Sequence, residues 1–176
     1  RYVEQYKTMY AKLGVDFKSE EGKKVLEELR KEVLNRLIDQ EVILQAAQKE
    51  GYKADEAEVK KMLEEFKAQF ESEDKMKETL HSLKMTTEDL EKEISHSIIY
   101  NQYIEDQIGQ VEVAQEELED AYAAHEKETG EKPDETTKEF IKQQLVLQKE
   151  QEKLQQLVDR LRKESEIEVL INWKEF

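Results

Sequence analysis

Cysteine is absent from the 176 residues, which excludes disulfide frameworks and thiolate metal sites. Proline occurs once and glycine five times, so few positions oblige a helix to stop. No run of about 18 apolar residues is present, and no segment reads as a membrane-spanning helix. A basic stripe is missing as well: 28 Lys and Arg stand against 43 Asp and Glu, a net charge of −15. Phosphate neutralisation has no footprint here, and nucleic acid is disfavoured as a partner. No Gly-rich phosphate loop, Ser/His/Asp arrangement or nucleophilic thiol can be assembled, so neither catalytic residues nor a cofactor site is expected. The opening RYVEQYKTMYAKLG starts inside an apparent helix, without Met or a signal-like stretch. The expectation is that the natural N-terminus, with any export signal, has been removed.

What remains is helix-forming. Glu, Lys, Gln and Leu dominate, and the pattern predicts a mainly all-α chain. Charged residues make up 40% and hydrophobic ones 37%, a ratio that suits an elongated single domain with much surface per residue. That domain divides into an N-terminal helical part, 1–130, and a returning C-terminal part, 131–176. Residues 54–130 hold 8 positive and 22 negative groups and so carry almost all the excess charge. The expected reading is a solvated acidic face, or one that attracts basic clients.

Spacing and caps place the elements. A first helix covers 1–13 and stops at Gly14; a second runs from Ser19 to Glu50, with Gly51 after its end. Asp55 with Glu58 starts a third helix, EDKMKETLHSL is a short fourth, and Thr86 with Asp89 caps a fifth that reaches Gly109. An extended link at Val111–Val113 leads to a sixth ending near Gly130. GEKPDE is the clearest break. One long helix follows, from Asp134 to Glu164, roughly 45 Å at 1.5 Å per residue. In SEIEVLINW, Ile167, Val169, Ile171 and Trp173 alternate with other residues, which predicts a short C-terminal β-strand. Its partner would come from outside the chain or from a second copy, giving a homodimer by strand exchange.

The stretch Asn35–Lys53 is apolar on every side, with Leu37, Ile38, Val42, Ile43, Leu44 and Ala47 filling nearly every sector. A helix of that kind is buried, and several others are expected to meet on it. Glu78 and His81, like Glu93 and His96, match the Glu-x-x-His spacing of helical di-iron sites. With 43 acidic residues such pairs arise by chance, and no metal site is expected. Met62, Phe66, Phe70, Met76, Leu80 and Met85 concentrate Met and aromatic side chains in one stretch. Core packing is the commoner fate of such residues, but Met and Phe also adapt to many apolar segments. Ile99, Tyr100 and Tyr103 point away from the Leu90/Ile94/Ile98 stripe of their helix and are expected to be exposed for contact.

Taken together, LIDQEVILQAAQKEGYKADEAEVKKMLEEFKAQF, then LHSLKMTTEDLEKEISHSIIYNQYI and VEVAQEELEDAYAAH, resemble the N-terminal chaperone domain of the SurA and PrsA foldases. Leu37, Ile38, Leu44, Ala47 and Gly51 carry the first part of the pattern; Leu80, Leu83, Thr87, Leu90 and Ile94 carry the third. The resemblance covers about residues 1–125, and the last helix and strand fit the family's return segment. It implies an ATP-independent extracytoplasmic chaperone of the bacterial cell envelope, secreted or membrane-anchored through a removed signal, that binds unfolded or newly exported polypeptides. In the family a parvulin-type prolyl isomerase domain often precedes the final helix. Only GEKPDE lies there, so the resemblance implies no isomerase activity. The nine residues from Met62 to Tyr103 named above are then the expected client-binding surface. The alternative is a helical adaptor that dimerises or docks one specific partner through its long C-terminal helix and the unpaired strand.

Overall fold

A computed structural model describes residues 2–170. Among the described residues seven helices follow one another: α1 (Tyr2–Lys12), α2 (Glu20–Lys49), α3 (Glu56–Lys67), α4 (Glu73–Ser82), α5 (Thr87–Ile108), α6 (Gln115–Thr129) and α7 (Glu135–Glu164). Among the described residues there is no strand. Glu166–Leu170 is irregular, with Ile167, Val169 and Leu170 exposed, so the alternation of SEIEVLINW does not produce the expected strand there. A period of two makes a strand only where another edge accepts its backbone groups, and no described residue offers one. Ile171 and Trp173, the rest of that expectation, lie outside the described residues. Among the described residues nothing supports the strand exchange expected from it.

The helix boundaries follow from local chemistry. Ser19 caps α2 by accepting from the Gly22 N–H at 3.0 Å. Gly22 is required there for a second reason, since a Cβ on it would lie 1.9 Å from the Asp16 carbonyl oxygen. Asp55 accepts from the N–H groups of Ala57 and Glu58 at the start of α3. At α5 the cap is reciprocal: the Thr86 N–H donates to Asp89 Oδ2 at 2.9 Å and the Asp89 N–H to Thr86 Oγ1 at 3.1 Å.

The described residues form two compact units, 2–103 with 161–170, and 104–160. In the first unit Val3 of α1 packs on Leu29 and Val33 of α2. Further along α2, Val42, Ile43, Leu44 and Ala47 are all buried, as the all-round apolar pattern requires. Arg162 at the end of α7 pairs with Asp39 and donates to the Asn35 carbonyl at 2.9 Å, so α2 is covered from that side too. A second cluster joins α3, α4 and α5 through Leu63, Met76, Leu80, Leu90, Ile94 and Ile98.

The second unit is thinner. It comprises the end of α5, the link at 109–114, α6 and most of α7. No residue of α6 is buried, and within the unit only Leu157 and Val158 are. Polar tethers hold it: Lys149 ion-pairs with Glu117, and Lys153 Nζ donates to the Ile108 carbonyl at 2.9 Å.

Candidate functional site

The nine residues expected to meet clients separate sharply by burial. Met76 and Leu80 are core, at 1% and 3% exposure. Phe66, Phe70 and Met85 are half-buried against that core, with the two rings 5.2 Å apart. Met62 is exposed on the outer side of α3. Ile99 and Tyr103, expected on the surface, are buried, which corrects that reading. The face of α5 opposite its core stripe has its own neighbour: Tyr103 packs edge-on against Tyr52 at 5.3 Å, and its hydroxyl donates to Glu50 Oε1 at 3.0 Å. The end of α2 and the residues after it therefore occupy the surface that the sequence left open.

Tyr100 alone of that trio faces a groove. Two adjoining depressions in the first unit share Tyr2, Leu37 and Gln40 in their walls. One, of about 320 Å³, lies between α1 and α2 and adds Tyr6, Val33 and Arg36. The other, of about 450 Å³, lies between α2 and α5 and adds Leu44 and Tyr100 among apolar side chains, with Ser97 and Asn101 among polar ones. The Arg36 guanidinium donates to the Tyr6 hydroxyl at 2.8 Å, which fixes one wall. Burial raises the Tyr100 phenol above its usual range, and nearby Asp39 adds to the rise. The phenol therefore stays protonated at neutral pH and is available as a donor.

Tyrosine and leucine with interspersed amides and hydroxyls suit a polypeptide segment: the rings take apolar side chains and the amides take backbone groups. Sequence reasoning missed Tyr2, Tyr6 and Gln40 here. Their apolar or polar type was visible, but nothing local signals that α1 and α5 flank the same side of α2. Glu93 and His96 also line the α2/α5 groove, whereas Glu78 and His81 lie on α4. Among the described residues no group of three or more His, Asp or Glu is arranged to hold a metal ion. No described helix is long and apolar enough to cross a membrane.

Comparison with known proteins agrees with the architecture. The family described as the SurA-like N-terminal domain matches residues 1–104, which contain α1 to α5 up to Ile104. Foldase protein PrsA of Clostridium botulinum strain Okra (type B1) is 31% identical over 137 residues, covering 74% of this chain and 40% of that protein. Foldase protein PrsA of strain Langeland (type F) matches to the same extent. The match thus spans about two fifths of the length of these curated relatives. No solved structure matches significantly. With more than half its length in one family, the chain belongs to the SurA-like N-terminal domains.

Proposed function

We propose that the chain is a chaperone domain that holds unfolded or newly exported polypeptides without ATP, outside the cytoplasm and at the bacterial cell envelope. The observation that carries this reading is the Tyr- and Leu-lined groove on α2, set in a domain of the SurA-like N-terminal family. Its walls supply apolar contact and neutral hydrogen-bonding groups, so they favour no single side-chain sequence. The half-buried Phe66, Phe70 and Met85 and the exposed Met62 add adaptable apolar surface on α3 and on the connections that follow α3 and α4. The foldase relatives support the role by name. Only residues 130–134 separate α6 from α7, which is consistent with holding a client without isomerising its prolines.

The test is aggregation of two unrelated denatured proteins diluted into buffer with an equimolar amount of the chain and no nucleotide, followed by light scattering. Suppression of both, weakened several-fold by Tyr100→Ala at unchanged helicity, is the expected result. If the folded chain protects neither, the reading falls and a single-partner adaptor replaces it. A proline-peptide isomerisation assay run alongside is expected to show no acceleration.

A further inference from the structure

Between Lys138 and Arg160, charge on α7 is sorted by sign around the helix. At about 100° per residue, Lys138, Lys142, Lys149, Lys153 and Arg160 fall in an arc of about 60° on the side opposite Phe140. That arc is engaged within its own unit. Lys149 pairs with Glu117 and approaches the Glu112 carbonyl at 3.4 Å, Lys153 reaches the Ile108 carbonyl, and Arg160 donates to Gln107 Oε1 at 3.0 Å.

The other side of the helix is different. Over residues 135–160, Phe140, Gln143, Gln144, Leu147 and Gln151 fill an arc of about 100° that holds no charge, in a chain where 40% of residues are charged; Arg162, further along, falls at the same angle and is paired with Asp39. All five are exposed, Phe140 by 60% and Leu147 by 50%. The charged residues that border the stripe are all acidic: Glu139 and Glu150 on one flank, Glu152 and Asp159 on the other, each of them exposed. The hydrogen bonds made by Glu152 and Asp159 come from neutral Gln148 and Gln155, so their negative charge is not neutralised there.

We propose that this stripe is a docking surface for a cationic apolar polypeptide segment, one in which Lys or Arg flank a short run of aliphatic or aromatic residues. The inference rests on the chaperone reading and names a client class for it. Phe140 and Leu147 meet the apolar run, the glutamines replace water at the client backbone, and the acidic borders meet the flanking cations. A second copy of the chain fits poorly, because pairing two such stripes would bring four carboxylates of each copy together. Exposed charges of this kind steer and select more than they bind, so the preference should shrink with salt.

The test uses two dye-labelled unfolded peptides with the same apolar core, one flanked by lysines and one by glutamates, titrated with the full chain and read by fluorescence anisotropy. Three proteins are compared: the wild type, Glu139→Gln/Glu150→Gln/Glu152→Gln, and Phe140→Ser/Leu147→Ser. All the replaced side chains are exposed, so the fold is retained. The wild type should bind the Lys-flanked peptide at least tenfold more tightly than the other at low salt. The glutamine variant should remove most of that ratio, and the serine variant should weaken the Lys-flanked peptide about tenfold. Equal binding of both peptides, or unchanged binding in both variants, overturns the proposal. If neither peptide binds while aggregation suppression persists, only this surface is refuted; if suppression also fails, the chaperone reading fails with it. A doubled mass in sedimentation that the serine variant abolishes would give the stripe to a second copy instead, and overturn the proposal equally.

Discussion

α5 and α7 both carry apolar residues around more than one side, yet α5 is covered and the side of α7 with Phe140 and Leu147 is not. On α5, Leu90, Ile94 and Ile98 enter the α3/α4 cluster, while Ile99 and Tyr103 are buried on another side. On α7, Phe140 and Leu147 stand in solvent, and Lys138, Lys142, Lys149, Lys153 and Arg160 gather on the opposite arc. The difference lies in neighbours rather than in residue type. In the first unit α1, α5 and the end of α7 all meet α2, whereas two helices joined by a short link make up most of the second and cannot enclose an apolar side chain from every direction. A Phe left exposed by a helical hairpin is open to a partner; a Tyr enclosed by a hub is a stability element.

The largest break in that comparison comes from charging the hub. Leu44, at 8% exposure on α2, replaced by Asp would bury an unpaired carboxylate at a cost of several kcal/mol. That is a large part of the total stability of a domain this size, about 5–15 kcal/mol. The expected outcome is loss of cooperative thermal melting by circular dichroism. A Leu44→Asp protein that melts like the wild type would show that α2 is not the hub.

A smaller effect sharpens the account of α5. Tyr103→Phe keeps the edge-on packing against Tyr52 and removes only the bond to Glu50. Because the Glu50 side chain is exposed, water can replace the lost donor, and the cost should be about 1 kcal/mol. Urea unfolding measures it through the midpoint, with the slope unchanged.

The second unit responds instead to acid. The Lys149 ammonium, followed by the Ala114 N–H, holds the Glu117 carboxyl below its usual range. A carboxyl depressed in the folded state contributes stability above its unfolded value, and that contribution is lost as pH falls through the folded value. Protection of amides in α6 and the first half of α7, measured by hydrogen exchange relative to the intrinsic rate at each pH, should therefore fall below about pH 4.5, the unperturbed value. In Glu117→Gln that loss of protection should be diminished. Exchange in α2 should not depend on the substitution.

Much of this architecture was legible because caps are local. Ser19, Asp55 and the Thr86/Asp89 pair announce helix starts within four residues, and Gly51, Gly109 and Gly130 mark ends with positive φ. The all-round apolar character of Val42–Ala47 was equally legible as burial. Three features were not. Lys84 takes a positive φ of 54° between α4 and α5, a conformation its side chain does not announce. The groove gathers Tyr2, Leu37 and Tyr100 from three distant parts of the chain, and only tertiary packing brings them together. The alternation after Ser165 read as a strand because periodicity reports side-chain placement and is blind to whether a partner edge exists.

The smallest effect is the one that separates covered from open surface most directly. Phe140→Ser removes a large ring, a change that in a core costs about 3–5 kcal/mol when the ring is truncated to Ala. Here the ring is 60% exposed and α6 lies on the opposite side of α7, so little apolar area returns to water on unfolding. The expected change in melting free energy is within about 0.5 kcal/mol, as for ordinary surface positions. A loss several times larger would mean that Phe140 is covered by another part of the chain, and the stripe on α7 would then be an intramolecular contact like the second face of α5. Near-neutral stability combined with weaker binding of a Lys-flanked peptide would instead separate the side chain's role in binding from any role in folding, a separation that Tyr103 cannot offer because its ring is part of the core.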